Sequence, residues 1–440
     1  MSILSSCTTL GKWTWVSGDN TANQQGVYGD KGVAARTNKP GSRHDSISWV
    51  DSKGNLWLFG GNGYDSATEG WLSDLWKFDG RSWTWISGDN TVNQHGIYGD
   101  KGVAAGTNKP GSRHYSISWV DGNGNLWLFG GYGYGETGVV GSLNDLWKFD
   151  GRSWTWVSGD STTNQPGVYG EKGVAAGTNK PGGHYYGISW IDSKGNLWLF
   201  GGKGYNTETL RNESLNDLWK FDGKNWTWVS GDSRANQPGV YGDKGVAAGA
   251  NKPCARYGSI SWIDSKDNLW LFGGGGAGYE EKGTLRDISF NDLWKFDSRN
   301  WTWVSGDNTA DQPGIYGAKG ITAGTNKPGA RYSSISWIDS KDHLWLFGGA
   351  GKDDTGSHGY LNDLWKFDGR NWTWVSGDNT ANQHGVYGVK GVAAGTNKPG
   401  GRHFSISWID SKDHLWLFGG YVFFNMGELS DLNDLWKFKP

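Results

Sequence analysis

The stretch Asn144-Asp145-Leu146-Trp147-Lys148-Phe149-Asp150-Gly151-Arg152-Ser153-Trp154-Thr155-Trp156-Val157 holds two strand signals and the turn between them. Leu146–Phe149 and Trp154–Val157 are short runs rich in aromatic and β-branched residues, which fit a pleated, half-buried surface. Asp150-Gly151-Arg152-Ser153 has the chemistry of a tight hairpin. The Trp-Thr-Trp tripeptide then sets a register for the whole chain. It begins at Trp13, Trp83, Trp154, Trp226, Trp301 and Trp372, at intervals of 70, 71, 72, 75 and 71 residues. A fixed period of that length with strand-like content points to a propeller or a similar array.

Working outward from the quoted stretch, each unit has two further strand signals. The first is His114-Tyr115-Ser116-Ile117-Ser118-Trp119, and the second is Leu126-Trp127-Leu128-Phe129, ended by Gly130-Gly131. Asp121-Gly122-Asn123-Gly124-Asn125 joins them as a second tight turn. The remaining two connections are long. One follows the double glycine and differs in every unit. The other follows the Trp-Thr-Trp strand and hardly changes, as in Gly88-Asp89-Asn90 through Lys109-Pro110-Gly111-Ser112. No segment has a sustained helical period. The fold class expected is therefore all-β, a six-bladed propeller of four antiparallel strands per blade.

The first strand signal, Trp13-Thr14-Trp15-Val16, is a fourth strand, and the last, Leu435-Trp436-Lys437-Phe438, is a third. The last blade thus lacks an outer strand that residues 12–17 can supply. The expected organisation is an extension over 1–11 and a single propeller domain over 12–438. Such closure leaves only short, protected sheet edges.

A strand ending in Gly-Gly, then Asn-Asp-Leu-Trp-Lys-Phe-Asp, then a Trp-led strand, then Pro-Gly-x-Arg-His opening the next unit, resembles the kelch repeat. The resemblance runs from about Lys12 to Phe438, with a period longer than the roughly 50 residues of kelch units. It implies four-stranded blades and a ligand mouth on the long-loop face. The galactose oxidase and sialic-acid mutarotase families share the fold, but the copper-ligating constellation of the former is not visible in this sequence.

Composition narrows the function. Of 440 residues only 35% are hydrophobic, yet 31 Trp, 18 Tyr and 16 Phe supply large apolar surfaces from few positions. A net charge of −2 with interspersed signs gives no footprint for nucleic acid. No apolar run is long enough for a transmembrane helix. Cys7 and Cys254 cannot form a disulfide framework. Leu4-Ser5-Ser6-Cys7 resembles a bacterial lipobox, which, with an export signal that these residues do not contain in full, would place the protein outside the cytoplasm on a lipid anchor; an arbitrary start is the alternative. Gly133-Tyr134-Gly135-Glu136-Thr137-Gly138 has the glycine spacing of a dinucleotide loop but precedes a strand, so the helix N-terminus that would bind phosphate is missing. No cofactor and no metal site is expected.

Two tight hairpins share one face of the ring and two long connections the other, and recognition usually sits on loops held by a rigid scaffold. The residue three after each Pro is Arg43, Arg113, His184, Arg256, Arg331 and Arg402. At the mouth of the channel these could fork onto carboxylates; alternatively each pairs with the Asp of the Asn-Asp-Leu-Trp segment. Two residues further on stand Asp45, Tyr115, Tyr186, Gly258, Ser333 and Phe404, a variable position on a repeated frame. Trp71 is the one Trp of 31 outside the five repeat positions and offers a stacking surface. The variable connections add Tyr64, Asp65, Tyr134, Glu136, Glu208, Arg211, Glu213, Glu280, Glu281, Arg286, Asp353, Asp354, His358, Tyr421, Phe423 and Phe424. The expected function is non-catalytic recognition of a glycan or protein by a monomer, with Arg43, Arg113, His184, Arg256, Arg331, Arg402, Trp71, Tyr115, Tyr186 and Phe404 as ligand-binding residues. A carbohydrate-active enzyme of mutarotase or lyase type in the same funnel is the alternative, with no catalytic residue assignable.

Overall fold

The computed structural model describes residues 11–206, 209, 211–279, 285–423 and 429–440, without the side chains of 277–279, 285–287 and 423. Cys7 and its neighbours, and Glu208, Glu280, Glu281 and Phe424, lie outside the described residues. The described residues form six antiparallel sheets arranged as the blades of a propeller. No helix among them is long and apolar enough to cross a membrane.

Blade 2 shows the unit. Its inner strand comes in two pieces, Arg113–His114 and Ile117–Val120, followed by Leu126–Tyr134, Val140–Phe149 and Trp154–Ser158. Blade 4 keeps only the second inner piece, Ile260–Ile263, and the first is reduced to a bridge between Tyr257 and Gly275. The last sheet is completed by Lys12–Ser17, which pairs with Leu429–Lys439 in the register Trp15 opposite Trp436. The expected closure by the N-terminal strand is what the structure shows.

One boundary differs from expectation. The second strand does not stop at the double glycine but passes through it. Gly130 and Gly131 take φ of 59° and 102°, and Leu126–Tyr134 continues its pairing with Val140–Phe149 beyond a local register shift. Conformations at positive φ are available to Gly at little cost. The pair is therefore a bend, and it turns the tip of each blade over toward the mouth of the ring. Trp71 accordingly lies in a strand, Glu69–Phe78, and not in a loop.

The core is six slabs between blades instead of one centre. Trp49, Trp57 and Phe59 of blade 1 pack on Leu126, Leu128, Trp147, Phe149 and Trp154 of blade 2. Trp76, Trp147, Trp219, Trp294, Trp365 and Trp436, one in each blade's third strand, are wholly buried. An aromatic side chain buries roughly 150–250 Å², which explains how a chain so poor in aliphatic residues makes a core.

The invariant long connection is also structural. In 88–112, Ile97 bridges Lys109, and Ala105 bridges Trp154 on the outer strand of blade 2. Lys101 donates to the Gly159 carbonyl at 2.7 Å and lies 4.3 Å over the Trp156 ring. Each such segment thus covers the outer edge of the next blade, an edge that would otherwise invite pairing with another chain.

Three hydrogen-bonded circuits close around the axis. Nearest the hairpin face, each inner-strand indole (Trp49, Trp119, Trp190, Trp262, Trp337, Trp408) donates to a carbonyl of the next blade at 3.1–3.2 Å. Next, Ser48, Ser118, Ser189, Ser261, Ser336 and Ser407 each donate Oγ–H to the same residue's carbonyl in the preceding blade at 3.0–3.4 Å. The third, toward the long connections, is made of backbone alone. Asp45, Tyr115, Tyr186, Gly258, Ser333 and Phe404 each donate N–H to the carbonyl of the one before, at 2.7–3.1 Å, and the circle closes on itself.

Candidate functional site

The arginines are not at the mouth. Arg43, Arg113, Arg256, Arg331 and Arg402 are each 1% exposed. Both terminal nitrogens of each donate to one carboxylate, on Asp74, Asp145, Asp292, Asp363 or Asp434, at 2.6–2.9 Å. Those aspartates belong to the Asn-Asp-Leu-Trp segment or, in blade 1, to its Ser-Asp-Leu-Trp equivalent. Each carboxylate also accepts a Tyr hydroxyl from the long connection, as from Tyr98 at 2.6 Å, and the indole N–H two residues on, as from Trp147 at 2.7 Å. A buried ion pair holds only when its remaining lone pairs are satisfied, and here they are. None of these five guanidiniums is left to face a ligand. His184 takes the same buried place in blade 3, with Nε2 3.5 Å from Asp217.

What the chain brings to the mouth is the residue after each of these and the residue after that. The first set is His44, His114, Tyr185, Tyr257, Tyr332 and His403, aromatic in every blade. The second is the backbone circuit, whose members all have φ between 55° and 66°. Five of the six are not glycine, and a Tyr or Phe in that region costs on the order of 1–3 kcal/mol unless its surroundings impose it. The strain turns three large rings into the channel. Tyr115 stacks on Tyr186 at 4.4 Å, and Phe404 stands 5.4 Å from Tyr115 and 5.6 Å from Tyr186. Tyr186 Oη is hydrogen-bonded to Ser333 Oγ across the ring. These side chains surround a cavity of about 130 Å³ at the upper end of the channel.

Around it the rings continue from blade to blade. Trp71 stacks over His114 at 5.1 Å, with Tyr132 and Tyr134 edge-on. Tyr132 meets Tyr185, Lys203 lies 4.2 Å over Tyr257, and Tyr257 meets Tyr332. Tyr360 stacks on His403 at 4.4 Å. Trp71 is thus half-buried in a cluster instead of free on a loop, with part of its surface left open.

Charge is concentrated where blades 6, 1 and 2 meet. His44 Nδ1 is 2.6 Å from Asp431 Oδ1, and its Nε2 is 3.4 Å from Asp45 Oδ2. His114 Nδ1 lies 3.9 Å from the same Asp45 oxygen. Neither Asp45 Oδ2 nor His114 Nδ1 has a hydrogen bond of good geometry. Burial disfavours the charged form of His44, but Asp45 and Asp431 outweigh it and raise its pKa to about 9. Burial likewise pushes Asp45 above the usual carboxylate range, against the pull of His44 and His114. His403, in the equivalent place on blade 6, has no carboxylate beside it, and burial lowers it to about 3. The mouth can therefore offer a protonated imidazole at His44, held between two carboxylates, and a neutral one at His403.

The other expected residues divide. Tyr64 donates to Glu69 at 3.1 Å, and the Tyr421 ring packs 4.8 Å from His44, so both border the charged corner. Asp65 and Asp353 are turn-makers: Asp65 Oδ1 accepts from the N–H of Ala67 and Thr68, and Asp353 Oδ1 from Thr355 and Ser357. Asp353, Asp354 and His358 form no metal-holding group, nor do any other His, Cys, Asp or Glu among the described residues. Glu213 accepts from Asn206 at 2.6 Å, while Glu136 and Arg211 stand exposed. Arg256 donates to Cys254 Sγ at 3.1 Å, and burial raises that thiol's pKa, so it is not an activated nucleophile. The signal that the sequence offered for the mouth was the run of His or Tyr directly after each arginine. Its regularity reads as structural until the backbone circuit shows where those rings stand.

No family model matches the chain, and no curated protein does. Among solved structures it matches a fungal alcohol oxidase of the AA5 family in complex with copper, at 13% identity and a TM-score of 0.45, over 94% of this chain and 76% of that one.

Proposed function

We propose that the propeller is a recognition module that binds a glycan at its long-connection mouth. The observation that carries this reading is the set of half-open rings around the mouth, Trp71, His114, Tyr132, Tyr185, Tyr332, Tyr360 and Tyr421, standing beside the His44–Asp431 pair. Apolar faces of sugar rings pack on aromatic side chains, while a few placed polar groups fix orientation through hydroxyls. The variable position that lines the channel carries five residue types in six blades, with Tyr repeated only at Tyr115 and Tyr186, which suits an asymmetric ligand on a repeated frame.

The test is a glycan screen followed by calorimetric titration of the best ligand into wild-type protein, Trp71→Ala and Tyr421→Ala. Affinity at least tenfold weaker in both variants, with melting temperatures close to wild type, is expected. Unchanged affinity in both contradicts the reading. A second reading, a carbohydrate-active enzyme in the same place, draws on the imidazole held between Asp431 and Asp45, an arrangement suited to proton transfer. Conversion of the bound glycan, followed by NMR and abolished in His44→Asn, supports it; binding without turnover supports recognition.

A further inference from the structure

Below the mouth, the ring encloses an axial channel. Residues of each inner strand alternate around it: Ile117 and Trp119 are buried, while Ser116, Ser118 and Val120 are half-exposed and line the lumen. From the hairpin face inward, cavities of about 330, 210 and 130 Å³ follow one another and share lining residues. The rings of Tyr115, Tyr186 and Phe404, with Tyr186 bonded across to Ser333, stand over the mouth end. At the hairpin end the opening is ringed by Val50, Val120, Ile191, Ile263, Ile338 and Ile409, all half-exposed.

Between these ends the wall carries oxygen acceptors whose hydrogens are already committed. A serine hydroxyl has one hydrogen and two lone pairs. Ser48, Ser118, Ser189, Ser261, Ser336 and Ser407 give theirs to carbonyls of neighbouring blades. Ser46, Ser116, Ser259, Ser334 and Ser405 give theirs to the first glycine carbonyl of the double-glycine bend, at 2.7–3.0 Å. Blade 3 has Gly187 at that place. A carbonyl cannot donate, so the direction of each of these bonds is fixed and the hydroxyl oxygens keep lone pairs alone for the lumen. Asp45, at the mouth end, is the one charged residue among the described residues that line the three cavities. Its neighbour His44 also faces Asp431, so two carboxylates stand against one imidazole there. A group that brings acceptors into this lumen leaves them unpaired against oxygen, whereas a group that brings donors and positive charge is paired.

We propose that the channel binds a linear primary alkylamine that enters from the hairpin face, its ammonium held among the serine oxygens toward Asp45 and its alkyl chain lying against the aliphatic rim. An ammonium has three donors and no acceptor, which is the complement of this wall. A strand rises roughly 3.3 Å per residue, so the rim stands about 13 Å along the strand from the Ser46 level. The methylenes lie along that length, out of water. The site is at the opposite end of the ring axis from the aromatic mouth and does not depend on glycan binding there.

Calorimetric titration of the full chain at neutral pH with hexylammonium, hexanol and hexanoate tests this, because the three share a chain and differ in the head group. Saturable binding of hexylammonium, at least tenfold weaker binding of hexanol and no binding of hexanoate are expected. Ile263→Trp narrows the rim and is expected to weaken hexylammonium at least tenfold while leaving glycan binding at the mouth unchanged. Methyl-resolved NMR of the wild type gives a check that needs no variant: hexylammonium is expected to shift the methyls of Val50, Val120 and the four rim isoleucines. No saturable binding of hexylammonium at millimolar concentration, hexanol or hexanoate as tight as hexylammonium, unchanged affinity in a folded Ile263→Trp, or rim methyls that do not respond overturns the proposal.

Discussion

Burial alone would hold His44 neutral at pH 7, and the carboxylates on either side reverse that, so that it titrates at about 9. The folded value lies above the ordinary 6.5. The stability that His44 contributes is therefore complete below about pH 6.5 and is lost as pH rises through 9. A displacement of that size corresponds to about 3 kcal/mol at most. The imidazole resonances of His44 are expected to titrate near pH 9 in the wild type and well below that in Asp431→Asn. Titration of His44 at its unperturbed value removes the charged corner from this account. None of this was legible in the sequence. His44 and Asp431 are 387 positions apart and meet only because the ring closes. The arginines were legible in kind but not in use: five-fold retention left ligand binding and pairing with the Asn-Asp-Leu-Trp aspartate both open. Wholly buried carboxylates at 2.6–2.9 Å decide for pairing.

At the scale of the strand, the double glycine is where reading and structure part. Gly-Gly reads as a stop because glycine weakens strands. Here it bends a strand that goes on for several residues, and the bend lets the inner strand and the next blade approach. A Cβ on Gly131 would stand 2.3 Å from Ser116 Oγ and 2.9 Å from the His114 carbonyl oxygen, at a φ of 102°. Gly131→Ala is expected to destabilise the protein by about 2–3 kcal/mol, more than the entropic change alone would give, as measured by urea unfolding. A midpoint equal to wild type contradicts the bend. The inner strand was harder to read for the opposite reason. Tyr115, Tyr186 and Phe404 favour extended strands by propensity, yet all three sit at positive φ because the backbone circuit imposes it. Local preference pointed to one continuous strand, and the closed ring overrides it.

For the whole molecule, the Trp-Thr-Trp register was sufficient. It set the number of blades, and the strand signals at Trp13 and Phe438 showed that the ends must meet. The repeat also limited what could be read of function, since the residues that differ between blades carry the asymmetry and their meaning depends on which blades stand side by side. Each blade contacts its neighbours through a tryptophan-rich slab and three circuits of hydrogen bonds, each bond of which adds roughly 0.5–1.5 kcal/mol net. Stability of this kind depends on an unbroken ring. Residues 12–438 are accordingly proposed to unfold as one unit. The direct test is differential scanning calorimetry of a chain lacking residues 1–17 beside the full chain. The full chain is expected to melt in one cooperative transition, and the truncated chain, with the outer edge of blade 6 open, to melt at a much lower temperature and over a broader range. Superimposable melting curves would contradict closure of the ring by the Lys12–Ser17 strand.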